Sequence, residues 1–228
     1  MPVLARLFGR FSVAALAAVS LHCAAAPFTV PLGPDRVVLD TPPGFTDTLP
    51  LYSPRLNDMA QSLTSASNKI LLFGVTDEDL RRFTTGERPD LKRYLIAVTP
   101  TRLEREQISV QEFGRVVEDA LRGLGAPPKT GDYLKYLDTQ PNGQASLLAE
   151  LRRDAGVVTV LQGTRLESGR FGGKSLYLLS TTTLLRVRGK ALNLAIYSGY
   201  ESAADLEWIR LTTVRWIEDL ERLNRLSR

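Results

Sequence analysis

The sequence predicts an α+β fold in which an antiparallel sheet is flanked by helices. Apolar segments such as residues 69–75 have the length of buried strands. Residues 176–187 and 191–199 flank Arg188-Gly189, a two-residue turn that favours an antiparallel hairpin. Amphipathic helices alternate with these strands, and they need a sheet face to cover their apolar stripes.

The helices are predicted from caps that precede helical spacing. Ser53 is an N-cap followed by Pro54 at the first helical position. Capping boxes begin at Thr76 and Ser109. Ser202 caps a long amphipathic C-terminal helix in which acidic and basic residues alternate on the outer side. Its inward stripe consists of Leu206, Ile209, Thr213, Trp216, Ile217, Leu220 and Leu223.

The remaining segments complete one soluble domain over residues 26–228. Residues 28–32 and 36–39 predict short strands around a turn. Residues 144–153 are rich in helix formers and predict a helix. The glycine-rich residues 168–175 predict a loop.

Residues 1–25 predict a secretory signal peptide. Arg6 and Arg10 are basic, and the apolar run over residues 11–21 is too short to span a bilayer. Small residues follow, and we predict cleavage after Ala25. The protein is therefore expected in the periplasm or outside the cell, with no transmembrane segment once the signal is removed.

Two alternatives concern the same segment. An uncleaved membrane anchor is disfavoured, because the apolar run is short and a cleavage site follows it directly. A lipoprotein would carry its lipid on Cys23, but the residue before such a cysteine is normally Gly, Ala or Ser and here it is His22.

Removing the signal takes away two arginines and no acid, which lowers the formal net charge from +4 to +2. So small a charge gives no reason to expect nucleic acid or anionic lipid as a partner.

The domain after the signal contains no imidazole and no thiol, because His22 and Cys23 are the only histidine and cysteine. Ser-His-Asp and Cys-His catalysis are therefore excluded, as are ordinary zinc sites. A Ca²⁺ or Mg²⁺ site built from carboxylates stays open, and so does a hydrolase that uses carboxylates or a Ser/Lys pair. No cofactor is predicted.

Two motifs resemble functional sites. Residues 169–175 resemble a phosphate-binding loop, but the glycine spacing is one residue short and a strand follows where a helix should. The acids Asp77, Glu78 and Asp79 resemble a metal cluster, yet they occupy the first turn of a helix, which favours acidic residues. A hairpin loop and a helix cap are the interpretations we favour.

Paired acids and aromatic residues supply the other candidates. The pairs Glu104 with Glu106 and Glu87 with Asp90 could act as acid and base only if they faced one cleft. Exposed aromatic side chains can anchor a partner, although they more often cover the edge of a core. The candidate partner contacts are Tyr133, Tyr136 and Trp208.

Three segments resemble the PsbP-like fold. They are the turn at Pro42-Pro43-Gly44-Phe45, the strand Tyr94-Leu95-Ile96-Ala97-Val98 leading to the helix at 109–124, and the strand, Gly189-Lys190 and helix unit over 177–223. The resemblance implies an antiparallel sheet with helices on both faces, an α/β/α sandwich, and a non-enzymatic binding or accessory protein. It carries no motif of functional residues.

Together these observations favour an exported periplasmic or envelope accessory protein that binds another protein or a small ligand without covalent chemistry. The alternative is a hydrolase or lyase without histidine, cysteine or zinc. A purely structural role is a third hypothesis, which the sequence does not separate from the first.

Overall fold

The computed structural model describes residues 26–167 and 176–226. Two short 3₁₀ helices, at Leu49–Leu51 and Thr101–Leu103, accompany nine strands and five α-helices in this part of the chain. The strands are β1 (Phe28–Leu32), β2 (Asp35–Leu39), β3 (Phe45–Asp47), β4 (Asn68–Thr76), β5 (Arg93–Pro100), β6 (Ala145–Asp154), β7 (Val157–Leu166), β8 (Leu176–Val187) and β9 (Lys190–Gly199). The helices are α1 (Pro54–Ser62), α2 (Asp77–Thr84), α3 (Val110–Leu121), α4 (Tyr133–Asp138) and α5 (Ala203–Leu226).

Seven of these strands form one antiparallel sheet in the order β3-β4-β5-β9-β8-β7-β6. Strands β1 and β2 form a separate hairpin. Arg188 and Gly189 join β8 to β9 with φ angles of 51° and 75°, the left-handed values that a type I′ turn requires. The predicted α+β class is confirmed.

The long helix α5 and the β1–β2 hairpin cover one face of the sheet, which we call the α5 face. Ile209, Trp216 and Leu220 are almost fully buried there. Polar groups in this layer are paired: Thr213 shares a 2.7 Å hydrogen bond with Thr181, and the indole N–H of Trp216 donates to the Asp40 carbonyl at 2.7 Å. The predicted stripe of the C-terminal helix is thus the stripe that covers the sheet.

Helices α1 and α3 cover the opposite face, which we call the α3 face. Ala60 of α1 packs against Phe73 and Ile96. Phe113 and Val117 of α3 pack in a separate cluster with side chains of β7, β8 and β9, namely Val158, Leu184 and Ala191. Helices on both sides make the predicted sandwich.

The predicted capping box is complete at Ser109 and half-formed at Thr76, whereas Ser53 occupies the N-cap position of α1 without a capping hydrogen bond from its side chain. The Ser109 hydroxyl accepts from the Glu112 N–H, and the Glu112 side chain accepts from the Ser109 N–H. The Thr76 hydroxyl accepts from the Asp79 N–H. These bonds satisfy backbone donors that have no partner within a helix.

The predicted helix over residues 144–153 is wrong, because this segment is strand β6. It pairs along its length with β7. Alanine, leucine, glutamate and arginine favour a helix intrinsically, but an open edge of the sheet offers a complete ladder of hydrogen bonds. Two irregularities in the register, at Leu147/Ala149 and Glu150/Arg152, also interrupt the alternation that would have indicated a strand.

Two further elements were not predicted. Helix α4 lies in a stretch where the sequence indicated no regular structure, and β3 follows the proline-rich turn. The predicted signal peptide and the predicted loop at 168–175 lie outside the described residues. Within the described ranges, every helix is too short or too polar to cross a bilayer.

Candidate functional site

The predicted partner contacts are partly buried side chains at the edge of the main core. Trp208 lies on the first turns of α5, 6.2 Å from the Phe45 ring between centroids, and the Arg93 guanidinium stands 4.0 Å above its indole. Arg93 also pairs with Asp205 at 3.1 Å. Trp208 is thus held in place by a cation and a second aromatic ring.

Tyr133 and Tyr136 lie on α4 and pack against the same core cluster as Trp208. Tyr133 lies near Tyr200, a residue that precedes α5, and besides burial it contributes to the raised pKa of Tyr200. Burial chiefly raises the pKa of Tyr200, and the neighbouring Asp132, Tyr133 and Asp205 add to the effect. The structure therefore places all three predicted residues on the α5 face.

Two of the four candidate acids, Glu104 and Asp90, contact surface cations. Glu104 binds Lys69 at 2.6 Å, and this hydrogen bond holds the pKa of Glu104 below its usual value. Asp90 binds Arg82 at 2.7 Å. A carboxyl that acts as a general acid near neutral pH needs a raised pKa, so the lowered pKa of Glu104 disfavours that role. Residues 26–167 and 176–226 contain no group of three acids placed to hold a metal ion.

A small cleft lies between α3 and the central strands, and we call it the α3 cleft. Its volume is about 290 Å³. Phe113, Val116 and Ala120 of α3 form one wall. Strands β8 and β9 supply the apolar floor through the side chains of Leu184 and Ala191.

Asn193 is the polar residue of this floor. It stands on β9 between Val98 of β5 and Leu184 of β8. Its side-chain oxygen Oδ1 is buried and has no hydrogen-bond partner within the described chain. Leaving such an acceptor unpaired costs about 1–3 kcal/mol, so a bound donor here would recover free energy.

Charged residues stand at the rim of the α3 cleft. Arg102 follows β5 and makes no ion pair with any residue that the structure describes, whereas Asp119 of α3 receives a 2.6 Å hydrogen bond from Arg122. The rim therefore combines a free guanidinium with a neutralised carboxylate. The cleft thus has a hydrogen-bond acceptor, Asn193 Oδ1, at its floor and a cation, Arg102, at its rim.

A second, more open depression of about 720 Å³ adjoins the cleft. It lies beside α1, and Asn68 lines both depressions, held by a 2.9 Å hydrogen bond to Thr64. Tyr52 stands at its margin with φ of 50° and an exposed fraction of 85%. The α3 face thus offers a small apolar cleft that continues into a larger, more open depression with a mixed polar and apolar lining.

Stacked tyrosines lie elsewhere on the α3 face. The rings of Tyr94 and Tyr197 are 4.6 Å apart between centroids. Burial, helped by Tyr197, raises the pKa of Tyr94 to about 12. Both phenols are therefore neutral donors at physiological pH.

Searches of protein families and of curated proteins found none that matches the sequence. The solved structures that resemble the chain include two of Mog1. The Saccharomyces cerevisiae Ran-binding protein Mog1p is 14% identical with a TM-score of 0.40, over 86% of this chain and 93% of that one. A point mutant of Mog1 is also 14% identical, with a TM-score of 0.39 over 86% and 94%. At this similarity, the function of the chain must be inferred from its own residues.

Sequence reasoning missed the α3 cleft. The apolar residues of α3 were predicted as core, which is correct for Phe113 and Val117. Asn193 breaks the apolar run of β9 and was the available signal, because a polar residue within a buried strand requires a partner. Whether Asn193 has a hydrogen-bond partner depends on tertiary contacts that the sequence does not specify.

Proposed function

We propose that this chain is an exported, non-catalytic binding protein of the periplasm or envelope, and that the α3 cleft holds its ligand. The observation that carries the proposal is the unpaired Asn193 oxygen in an apolar cleft. Binding sites are typically concave and apolar with a few placed polar groups, and this cleft has that composition.

The size of the cleft limits the ligand. Small-molecule sites usually enclose about 300–1,000 Å³, and this cleft is at the lower end of that range. It fits one aromatic group that carries an N–H or O–H donor for Asn193. Such a group belongs either to a small molecule or to an anchoring side chain of a partner protein.

Indole tests the proposal directly, since it is a single apolar ring system with one N–H donor. We expect saturable chemical-shift changes in a ¹H–¹⁵N spectrum at Phe113, Ala120, Ala191 and Asn193. Benzofuran has the same shape without the donor and should bind about 2–10-fold more weakly, the value of one hydrogen bond. Indole shifts that do not saturate, or that lie on the α5 face, would refute the assignment.

A blocking variant separates binding from stability. Ala120 is exposed on α3 and lines the cleft, so Ala120→Phe should fill it and abolish the indole shifts without unfolding the protein. Gln111→Phe places the same ring on the same helix away from the cleft, and should leave binding unchanged. Equal loss in both variants would contradict the proposed site.

The proposed export has its own test. Mass spectrometry of the protein recovered from the periplasm should give a mature chain that begins at Ala26. Recovery of an active chain that retains residues 1–25 would return His22 and Cys23 to the folded protein. The catalytic classes excluded above would then be open again.

A further inference from the structure

The tip of the β8–β9 hairpin and the end of α5 enclose a basic depression of about 500 Å³, which we call the arginine bowl. It lies at the end of the sheet and shares no lining residue with the α3 cleft. Arg186, Arg188 and Arg225 line it, together with Glu221. We propose that the arginine bowl binds a phosphoryl or sulfuryl oxyanion carried on a polar ligand.

Backbone contacts hold two of the three guanidinium groups. Arg186 Nε donates to the Ile108 carbonyl at 2.7 Å, and Arg188 Nη1 donates to the Arg36 carbonyl at 3.2 Å. Each contact uses one nitrogen and neutralises no charge. Because a guanidinium has five N–H donors, each group retains donors for a bound oxyanion.

The hairpin tip between them is itself fixed. Ile108 donates its N–H to the Gly189 carbonyl at 2.8 Å. Beneath the turn, the buried ammonium of Lys190 donates to the Glu106 carbonyl at 2.9 Å and pairs with Asp35 at 3.2 Å. The bowl is thus organised before any ligand arrives, which reduces the entropy lost on binding.

The acids around the bowl are already paired. Glu221 contacts Arg152 through both carboxylate oxygens, at 3.2 and 3.4 Å. Asp35 accepts from Gln107 at 2.6 Å in addition to its contact with Lys190. Arg186, Arg188 and Arg225 make no ion pair with the residues that the structure describes. Three neighbouring cations without a counter-charge favour an anion.

The lining also indicates the class of anion. The exposed large hydrophobic residues of the described chain all lie outside the bowl. The site therefore suits a polar group with several oxygens, which guanidinium groups bind in a bidentate manner. A phosphate monoester, a sulfate ester and a phosphate-bearing lipid headgroup share this chemistry.

Pyrophosphate is the probe for the test, because its oxygens can reach more than one guanidinium. We expect saturable binding by calorimetry in low salt, at least about tenfold tighter than inorganic phosphate, and weaker as sodium chloride is added. The arginine Nε–Hε resonances of Arg186, Arg188 and Arg225 should shift together.

A double variant, Arg188→Asn with Arg225→Gln, removes two of the cations. Asn-Gly is a preferred sequence for a type I′ turn, so the hairpin should keep its stability. Pyrophosphate affinity should fall at least about tenfold, as expected on losing charge-assisted hydrogen bonds. The control Arg115→Gln with Arg210→Gln removes the same charge at exposed positions outside the bowl and should leave the affinity within about twofold.

Vesicles containing phosphatidic acid distinguish the source of the anion. Binding to vesicles that is lost in the Arg188/Arg225 variant would identify a lipid headgroup, and pyrophosphate binding without vesicle binding would identify a soluble ligand. Both results support the bowl. The proposal is overturned if pyrophosphate does not bind, or if the control variant loses as much affinity as the bowl variant.

Discussion

The two faces of the sheet differ in how completely they are covered. On the α5 face, a 24-residue helix and a hairpin pack against the strands, and the Asn224 side chain contacts both the N–H and the carbonyl of Val38 at 2.9 and 2.8 Å. On the α3 face, two shorter helices leave a cleft between them and the strands. Asn224 is fully bonded, whereas Asn193 has a buried oxygen without a partner.

The buried unpaired atoms of the α5 face differ from Asn193 Oδ1, because they are donors of side chains that already have a partner. They are Arg93 Nε and Arg165 Nε, and each belongs to a guanidinium that binds a partner through another nitrogen. We propose from this comparison that the two faces contribute differently to stability and to ligand binding. The α5 face stabilises the fold, and the α3 face retains the group that a ligand can use.

The largest expected effect is that of Trp216→Ala on the α5 face. Trp216 is 2% exposed and bonds the Asp40 carbonyl, so its loss creates a cavity and an unpaired acceptor. We expect the free energy of unfolding to fall by about 3–5 kcal/mol in urea denaturation. A loss under about 1 kcal/mol would mean that α5 contributes little to the stability of the sheet.

Substitution of Asn224 and of Asn193 by leucine compares the two faces of the sheet most directly. Asn224→Leu should cost about 1–3 kcal/mol, because it leaves both polar groups of Val38 unpaired. Asn193→Leu removes a buried acceptor that has no partner, so the free energy of unfolding should not fall and should rise by up to about 1–3 kcal/mol, while indole binding is weakened. Equal destabilisation in urea would contradict the difference between the faces.

Asp205→Asn tests the start of α5 with a smaller effect. Burial opposes the charge of Asp205, but hydrogen bonds from Glu201, Arg93 and Ser202 outweigh it and hold the pKa below the usual 3.8. A lowered folded-state pKa gives stability that is present above the unfolded-state pKa and is lost as pH falls through the folded-state value. We expect a loss of about 1 kcal/mol at pH 7 that shrinks at acidic pH.

Urea denaturation between pH 3 and 7 measures that difference. Asp219→Asn is the matched control, since Asp219 lies on the same helix and also pairs with an arginine, Arg222, but at an exposed site. It should change stability by less than about 0.5 kcal/mol. A loss for Asp205→Asn that did not depend on pH would exclude the carboxylate charge as its cause.

Local signals predicted much of the fold. Caps at Thr76 and Ser109 and the turn at Arg188-Gly189 were correct because each depends on residues close together in the chain. The candidate site was not predicted. The aromatic residues chosen from the sequence lie on the α5 face, whereas the cleft depends on a gap between α3 and strands more than 60 residues away from it.

The sequence by itself determined the fold class, the starts of α1, α2, α3 and α5, the main hairpin and the absence of imidazole and thiol chemistry after residue 25, because these follow from composition and from short-range geometry. Only the tertiary structure decided that residues 145–154 form a strand, that Asn193 lacks a partner and that Arg186, Arg188 and Arg225 share one depression. The physical reason is that strand pairing, burial and charge balance depend on neighbours that the chain brings together only when it folds.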